Sequence, residues 1–236
     1  MIKYNLTFFG GRGSASSIGG GGGATFKNEF RFPDGTVAQY DGDLNFGAKD
    51  PNLSPAVRQR VEAWEAKRVN NKIEYAYSVD EDGNPLGEAR GGKTSVTSPH
   101  YFHDTEGATF THNHPREEGS GYLGGTFSQA DMENFAKFGN TTERAAAKEG
   151  TYSVSKGANF NQSGFLSYVT QASNNFQREA SSAENRLRTQ VAMRMMTWEQ
   201  YNIESTRAFN TALVNLHNAY SAGQSRYGYT YTLEQR

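Results

Sequence analysis

The order of apolar and polar positions along the chain predicts its elements. Residues Ile2 to Phe9 make a short β-like run, and 10–23 are nearly all Gly and Ser, a composition that behaves as a flexible linker. Phe26, Phe30, Phe32, Val37, Tyr40 and Phe46 surround the turn signal Pro33-Asp34-Gly35, which predicts a small hairpin or an irregular aromatic cover. A helix is expected from Ser54, a good N-cap followed by Pro55 at the first helical position. Within it Val57, Val61, Trp64 and Arg68 recur at helical spacing and mark one buried stripe. Ile73, Tyr75, Tyr77 and Val79 alternate as in a strand, Asp82-Gly83-Asn84-Pro85 reads as a turn, and a second strand is expected within 85–97. Residues 107–111 predict a short strand leading into His112, and Ser128 begins a helix that stops near Gly139. From Ser181 to about Ser221 there is no Pro and no Gly. Leu187, Val191, Met195 and Trp198, then Phe209, Leu213, Leu216 and Tyr220, predict one long helix or two with a break near 199–206.

Composition tests whether such a chain folds. Leu, Ile, Val and Phe number 10, 4, 10 and 15, about a sixth of the 236 residues, which is low enough to raise disorder. Disorder also needs a large net charge, and 24 basic against 25 acidic residues leave only −1. The 15 Phe and 13 Tyr can build a core from few side chains. No run approaches the length of a membrane span. MIKYNLTFFGGRG does not read as a secretory signal, so a cytoplasmic protein is expected, in a host cytoplasm or a virion if a phage encodes it. Near-neutral charge weighs against a nucleic-acid partner. The absence of Cys excludes disulfides, thiol nucleophiles and Cys-ligated metals, so any metal must be held by His, Asp or Glu.

Four of the five His fall within fifteen residues: His100, His103, His112 and His114. His112 and His114, at i and i+2 on a strand, point to the same face and can reach one ion. Asp131, in the first turn of the helix begun by Ser128, can join them and complete two nitrogens and a carboxylate oxygen, the set of a catalytic zinc with one open position. Ser-x-x-Asp is also an ordinary helix start, with Ser capping and Asp favoured by the helix dipole. Other motifs fail on inspection. The Gly stretch lacks the Lys of a phosphate loop, and Asp41, Asp43 and Asn45 begin a calcium-like loop that has Phe46 and Asn52 where Gly and Glu are required.

The combination of an apolar strand, His112-x-His114-Pro115, a Gly-rich loop and Ser128-x-x-Asp131 resembles the JAB/MPN metalloproteases with the JAMM motif, most closely their RadC-like prokaryotic branch. Upstream, Glu74, the strand to Val79, Asp80 and Asp82-Gly83-Asn84 are also similar, and the likeness covers about 72–138. The resemblance implies an α+β fold, a curved mixed sheet with flanking helices, to which a long C-terminal helical arm is added here. It divides the chain into a Gly-rich segment with short β elements (1–50), a metalloprotease domain (51–165) and a helical region (166–236). It implies that His112, His114 and Asp131 bind Zn2+, that Glu74 is the general base, and that Ser128 holds the oxyanion or the water. Glu88 is a rival for the base. The loop 115–127 is thirteen residues where the family has about seven, which changes the substrate groove without breaking the metal site.

Three functions follow as expectations. The first is a zinc metallopeptidase or isopeptidase that hydrolyses a protein or peptide substrate with a zinc-activated water. The second is a phage or mobile-element structural or interaction protein that keeps the metal site unused and meets a partner, or a second copy, through the C-terminal helix. The third is a metal-dependent toxin hydrolase or nuclease.

Overall fold

The computed structural model describes residues 28–97 and 106–236. The expected strand at 2–9, the Gly/Ser stretch, Phe26, His100 and His103 lie outside the described residues. The aromatic segment does form a hairpin, β1 (Asn28–Arg31) paired antiparallel with β2 (Val37–Tyr40). Its turn places Gly35 at φ +82°, and Asp34 Oδ1 accepts the Thr36 N–H at 2.9 Å. Helix α1 (Pro55–Arg68) begins as its sequence predicts, with Ser54 Oγ accepting from the Val57 N–H. Its stripe of Val57, Val61 and Trp64 packs on Tyr77 and Val79, and the Trp64 and Tyr77 rings stack at 5.5 Å.

The remaining elements follow in the order β3 (Tyr75–Val79), β4 (Pro85–Arg90), β5 (Thr109–Asn113), α2 (Gln129–Lys137), β6 (Thr142–Ala146), β7 (Thr151–Lys156), α3 (Gln162–Ala192), α4 (Trp198–Ala222), α5 (Gln224–Tyr227) and β8 (Tyr229–Glu234). Six strands form one mixed sheet in the order β4-β3-β5-β6-β7-β8, and the fold is α+β as expected. Only β5 and β6 are parallel, joined through α2, as parallel neighbours require a crossover.

Alternation gives the sheet two different faces. One carries His112, Glu143, Ala145, Tyr152, Val154, Tyr231 and Leu233 by register, and α2, α3 and α4 cover it with Phe135, Phe165, Val169 and Leu213. The hairpin joins the same cluster through Phe32, Ala38 and Tyr40. The other face is polar where α1 crosses it. Buried Arg144 donates to Glu65 at 2.7 and 3.1 Å and to Glu234 at 3.2 and 3.1 Å. Thr111 also donates to Glu65, and Asp50 accepts from Ser153 and Ser155 at 2.9 and 2.6 Å.

The C-terminal third departs from its expected form. Helix α3 starts at Gln162, well before Ser181, and the break falls at 193–197, earlier than 199–206. The helical reading of 166–236 also fails at its end, because 229–234 form β8 and close the sheet beside β7. Nor do α3 and α4 form a free arm along their whole length. Phe165, Val169, Phe176, Leu213, Leu216 and Tyr220 are built into the main core. Only the outer ends project, with Met193, Met195, Trp198 and Ile203 exposed. Among the described residues, no helix is long and apolar enough to cross a membrane.

Arg144 is the charge that ties α1 and β8 to the centre of the sheet. Replacing it as Arg144→Met strands two buried carboxylates and is expected to cost about 3–5 kcal/mol. Urea unfolding followed by circular dichroism measures the loss, and a change below about 1 kcal/mol would contradict the role given to this network.

Candidate metal centre

Strand β5 runs two residues further than its sequence suggests, so that His112 and Asn113 lie within it and His114 directly follows. The histidines share a face, and their Nε2 atoms approach to 2.9 Å. Asp131 Oδ2 lies 3.7 Å from His112 Nε2, and one ligand atom from each of the three residues falls within 4.8 Å of the others. Two nitrogens on a tetrahedral zinc stand roughly 3.3 Å apart, given bonds of about 2.0–2.1 Å, so opening the pair by a few tenths of an ångström suffices.

The His114 tautomer suits a ligand. His114 Nδ1 faces the Gly125 carbonyl at 2.9 Å, which can only accept, so the proton sits on Nδ1 and the Nε2 lone pair points into the cluster. His112 is buried among Phe110, Phe127 and His114, with ring centroids 6.0, 6.2 and 4.8 Å away. Burial pulls its pKa down to about 4, Asp131 opposing and His114 reinforcing the effect, so the ring is neutral near pH 7.

Asp131 has a second task. Its Oδ2 accepts the Ser128 N–H at 2.7 Å, while Ser128 Oγ accepts the Asp131 N–H at 3.2 Å. The Ser-x-x-Asp pair is therefore a closed capping box at the start of α2, the structural reading of that pattern. The box also holds the carboxylate against the histidines and leaves the Ser128 hydroxyl proton free to donate.

Glu74 and Glu88 part company. Glu74 immediately precedes β3, and Ala76, two residues on, pairs with His112, so position 74 falls on the histidine face. Burial raises its carboxyl to about 7, with Asp131 pushing the same way and His114 opposing. Glu88 pairs with Tyr77 on the α1 face and bridges Arg68 at 2.6 Å, away from the cluster. The fifth histidine, His217, is also remote: it is buried between Tyr231 Oη at 2.9 Å and the Asn45 carbonyl at 3.2 Å.

Comparison with protein-family models, with curated proteins and with solved structures finds no match.

Sequence reading missed three residues that support the cluster. Asn113 lies between the histidines. Its Oδ1 accepts from Tyr75 N at 2.7 Å and its Nδ2 donates to Ile73 O at 3.1 Å, clamping the backbone on both sides of Glu74. Gly125 supplies the carbonyl for His114 from a left-handed conformation (φ +85°). Glu149 accepts the Gly124 and Gly125 N–H groups at 3.0 and 2.8 Å and so holds that carbonyl in place. The Gly124-Gly125 pair was the available signal. The loop is anchored at both ends, since Arg116 stacks 3.6 Å from the Phe32 ring centroid, bridges Asp34 at 3.2 Å and donates to the Ser120 and Tyr122 carbonyls.

The raised Glu74 value fixes the sign of a pH effect. Its ordinary value is 4.5 and its folded value about 7, so the stability it contributes is full below about 4.5 and is lost as pH rises through 7. In the presence of a chelator, the unmodified chain should lose stability relative to Glu74→Gln over that window, by at most about 3 kcal/mol. Urea unfolding at several pH values measures the difference, and parallel curves for the two proteins would refute the assignment.

Proposed function

We propose that the chain is a zinc-dependent peptidase or isopeptidase of the JAB/MPN kind, of the RadC-like branch. One observation carries the reading. A His-His-Asp cluster, into which the His114 Nε2 lone pair is turned, lies on the same sheet face as a half-buried carboxylate whose proton affinity, without an ion, sits near neutrality. Each part has an ordinary explanation alone, but their convergence at one strand end does not.

His112, His114 and Asp131 would hold the ion, which supplies Lewis acidity for a scissile carbonyl and lowers the pKa of a water toward neutrality. Glu74, half-buried beside the cluster, would take a proton from the attacking water and return it to the leaving amine, the charge of the ion favouring its carboxylate form. Asn113 holds the Glu74 backbone in place during both transfers. Ser128, with its oxygen committed to the Asp131 N–H, offers its hydroxyl proton to the oxyanion of the tetrahedral intermediate. The substrate class is a protein or peptide. The tethered loop 115–127 borders His114, so it and not the ligand set would decide which sequence is admitted.

A second reading has its own observation. Met193, Met195, Trp198 and Ile203 are exposed together at the outer end of α3 and α4, which suits an interaction protein whose metal site staples α2 to β5 without turnover.

After equilibration with zinc and gel filtration, elemental analysis should find stoichiometric metal in the unmodified chain and none in His112→Ala or Asp131→Ala. Glu74→Gln should keep the metal and lose at least about 100-fold in cleavage of a mixed peptide library read by mass spectrometry. A chain that takes up no zinc refutes the proposal. One that takes up zinc but cleaves neither peptides nor fusions to ubiquitin-like tails refutes the peptidase reading and leaves the interaction protein and the metal-dependent nuclease, which a plasmid-nicking assay separates.

A further inference from the structure

His112 and Glu143 present a matched pair of unmet needs. His112 Nδ1 and Glu143 Oε2 are buried and have no hydrogen-bond partner among the described residues. Buried polar atoms are nearly always paired, and a carboxylate deep in a sheet is costly without a partner. The two groups are brought together by backbone register. Strands β5 and β6 are parallel, with Phe110 beside Glu143 and His112 beside Ala145, so both side chains leave the same face one step apart. Their nearest polar atoms, His112 Nδ1 and Glu143 Oε1, are 4.0 Å apart, about 1 Å beyond a hydrogen bond.

The surroundings offer Glu143 no better partner. The nearest cation, Lys156, has its ammonium on the Phe138 carbonyl at 2.5 Å. Asn140 contributes a hydrogen bond on one side, and Asp131 repels. Without an ion, burial and that repulsion favour the protonated form of Glu143. A core position filled for packing would carry Leu or Val here, as Val154 does beside it on β7.

His114 shows what His112 lacks. The Gly125 carbonyl takes the His114 Nδ1–H and turns its Nε2 toward the cluster. Because His114 Nε2 is then an acceptor, the 2.9 Å contact puts the His112 proton on Nε2 and leaves its Nδ1 bare in the arrangement described. An ion on His112 Nε2 requires the other tautomer, with the proton on Nδ1, and Glu143 is the acceptor within reach.

We propose that Glu143 is a positioning residue of the metal centre: once an ion is bound, its carboxylate accepts the His112 Nδ1–H and fixes that ring with Nε2 turned to the ion. The inference rests on the reading of His112, His114 and Asp131 as a zinc site. Carboxylate–imidazole–metal triads of this form raise ligand basicity and restrict ring rotation, and losing the outer carboxylate typically weakens metal binding about 10–100-fold.

The test compares the unmodified chain with Glu143→Gln and Glu143→Leu. Zinc affinity is measured by competition with a chromophoric chelator, the ligand-field spectrum is recorded after loading with Co2+, and melting is followed with chelator present. Glu143→Leu should lose about 10–100-fold in zinc affinity. Glu143→Gln, which keeps an acceptor oxygen without the charge, should fall between, and both should shift the Co2+ bands. Metal-free melting temperatures should not fall, since each variant removes a buried carboxylate that lacks a full set of partners. A merely structural Glu143 would instead lower melting and leave affinity per folded molecule unchanged. If Glu143→Leu fails to fold, Glu143→Gln alone decides. Zinc affinity within twofold of the unmodified chain in a folded variant overturns the role of Glu143 and leaves the metal site standing. Failure of the unmodified chain to bind zinc overturns both.

Discussion

The Arg144 guanidinium, clamped between Glu65 and Glu234, is the interaction on which this architecture turns. It sits near the middle of the sheet on β6, reaches α1 on one side and β8 on the other, and joins parts of the chain separated by 79 and 90 positions. Burying three charges is expensive, and their mutual attraction repays it only when the geometry is good and the remaining valences are filled. Here they are filled, since Thr111, Thr151 and the Asp50 N–H donate to the same two carboxylates. Such a network accepts one register. Sliding β6 by one position would send Arg144 into the aromatic core and Glu143 into the ion cluster.

The strand that carries this lock also serves the candidate centre. Glu143 and Arg144 are consecutive and point to opposite faces, so one register places a paired charge under α1 and an unpaired carboxyl beside His112. The two chemistries share a backbone but not an environment. On the α1 face, ions neutralise one another. On the α2 face, burial, without matching countercharge, holds Glu74 and Glu143 in forms that favour the proton and keeps His112 neutral.

Elements with strong local signals were legible in the sequence. The Ser54-Pro55 start of α1, the alternating Tyr75 and Tyr77 of β3 and the Ser128 start of α2 each follow from side chains within a few residues. Strand β6 did not, because Thr-Glu-Arg-Ala-Ala has little intrinsic preference for a strand and is extended only because β5 and β7 pair with it. Strand β8 does alternate, as Tyr229, Tyr231 and Leu233, but it is short, directly follows the helical run and is extended by its pairing with β7. The grouping of His112, His114 and Asp131 was readable from spacing, whereas their supports were not. Asn113 acts through main-chain atoms of residues 73 and 75, Gly125 acts through its own carbonyl, and Glu149 acts through the N–H groups of a loop. None of these roles depends on a pattern in neighbouring side chains.

The loop that carries Gly125 also imposes an order on assembly. Leu123 N is held by Asn210 of α4, and Thr126 bonds Tyr231 of β8, over separations of 87 and 105 positions. Gly125 itself has Leu213 packed against it. The carbonyl that selects the His114 tautomer is thus seated on residues that leave the ribosome long after the histidines do. A nascent chain displaying His112, His114 and Asp131 has the ligands without the carbonyl that selects the tautomer. Competence for metal is therefore a property of the folded tertiary structure, acquired only once α4 and β8 are in place and lost early if the C-terminal helices loosen.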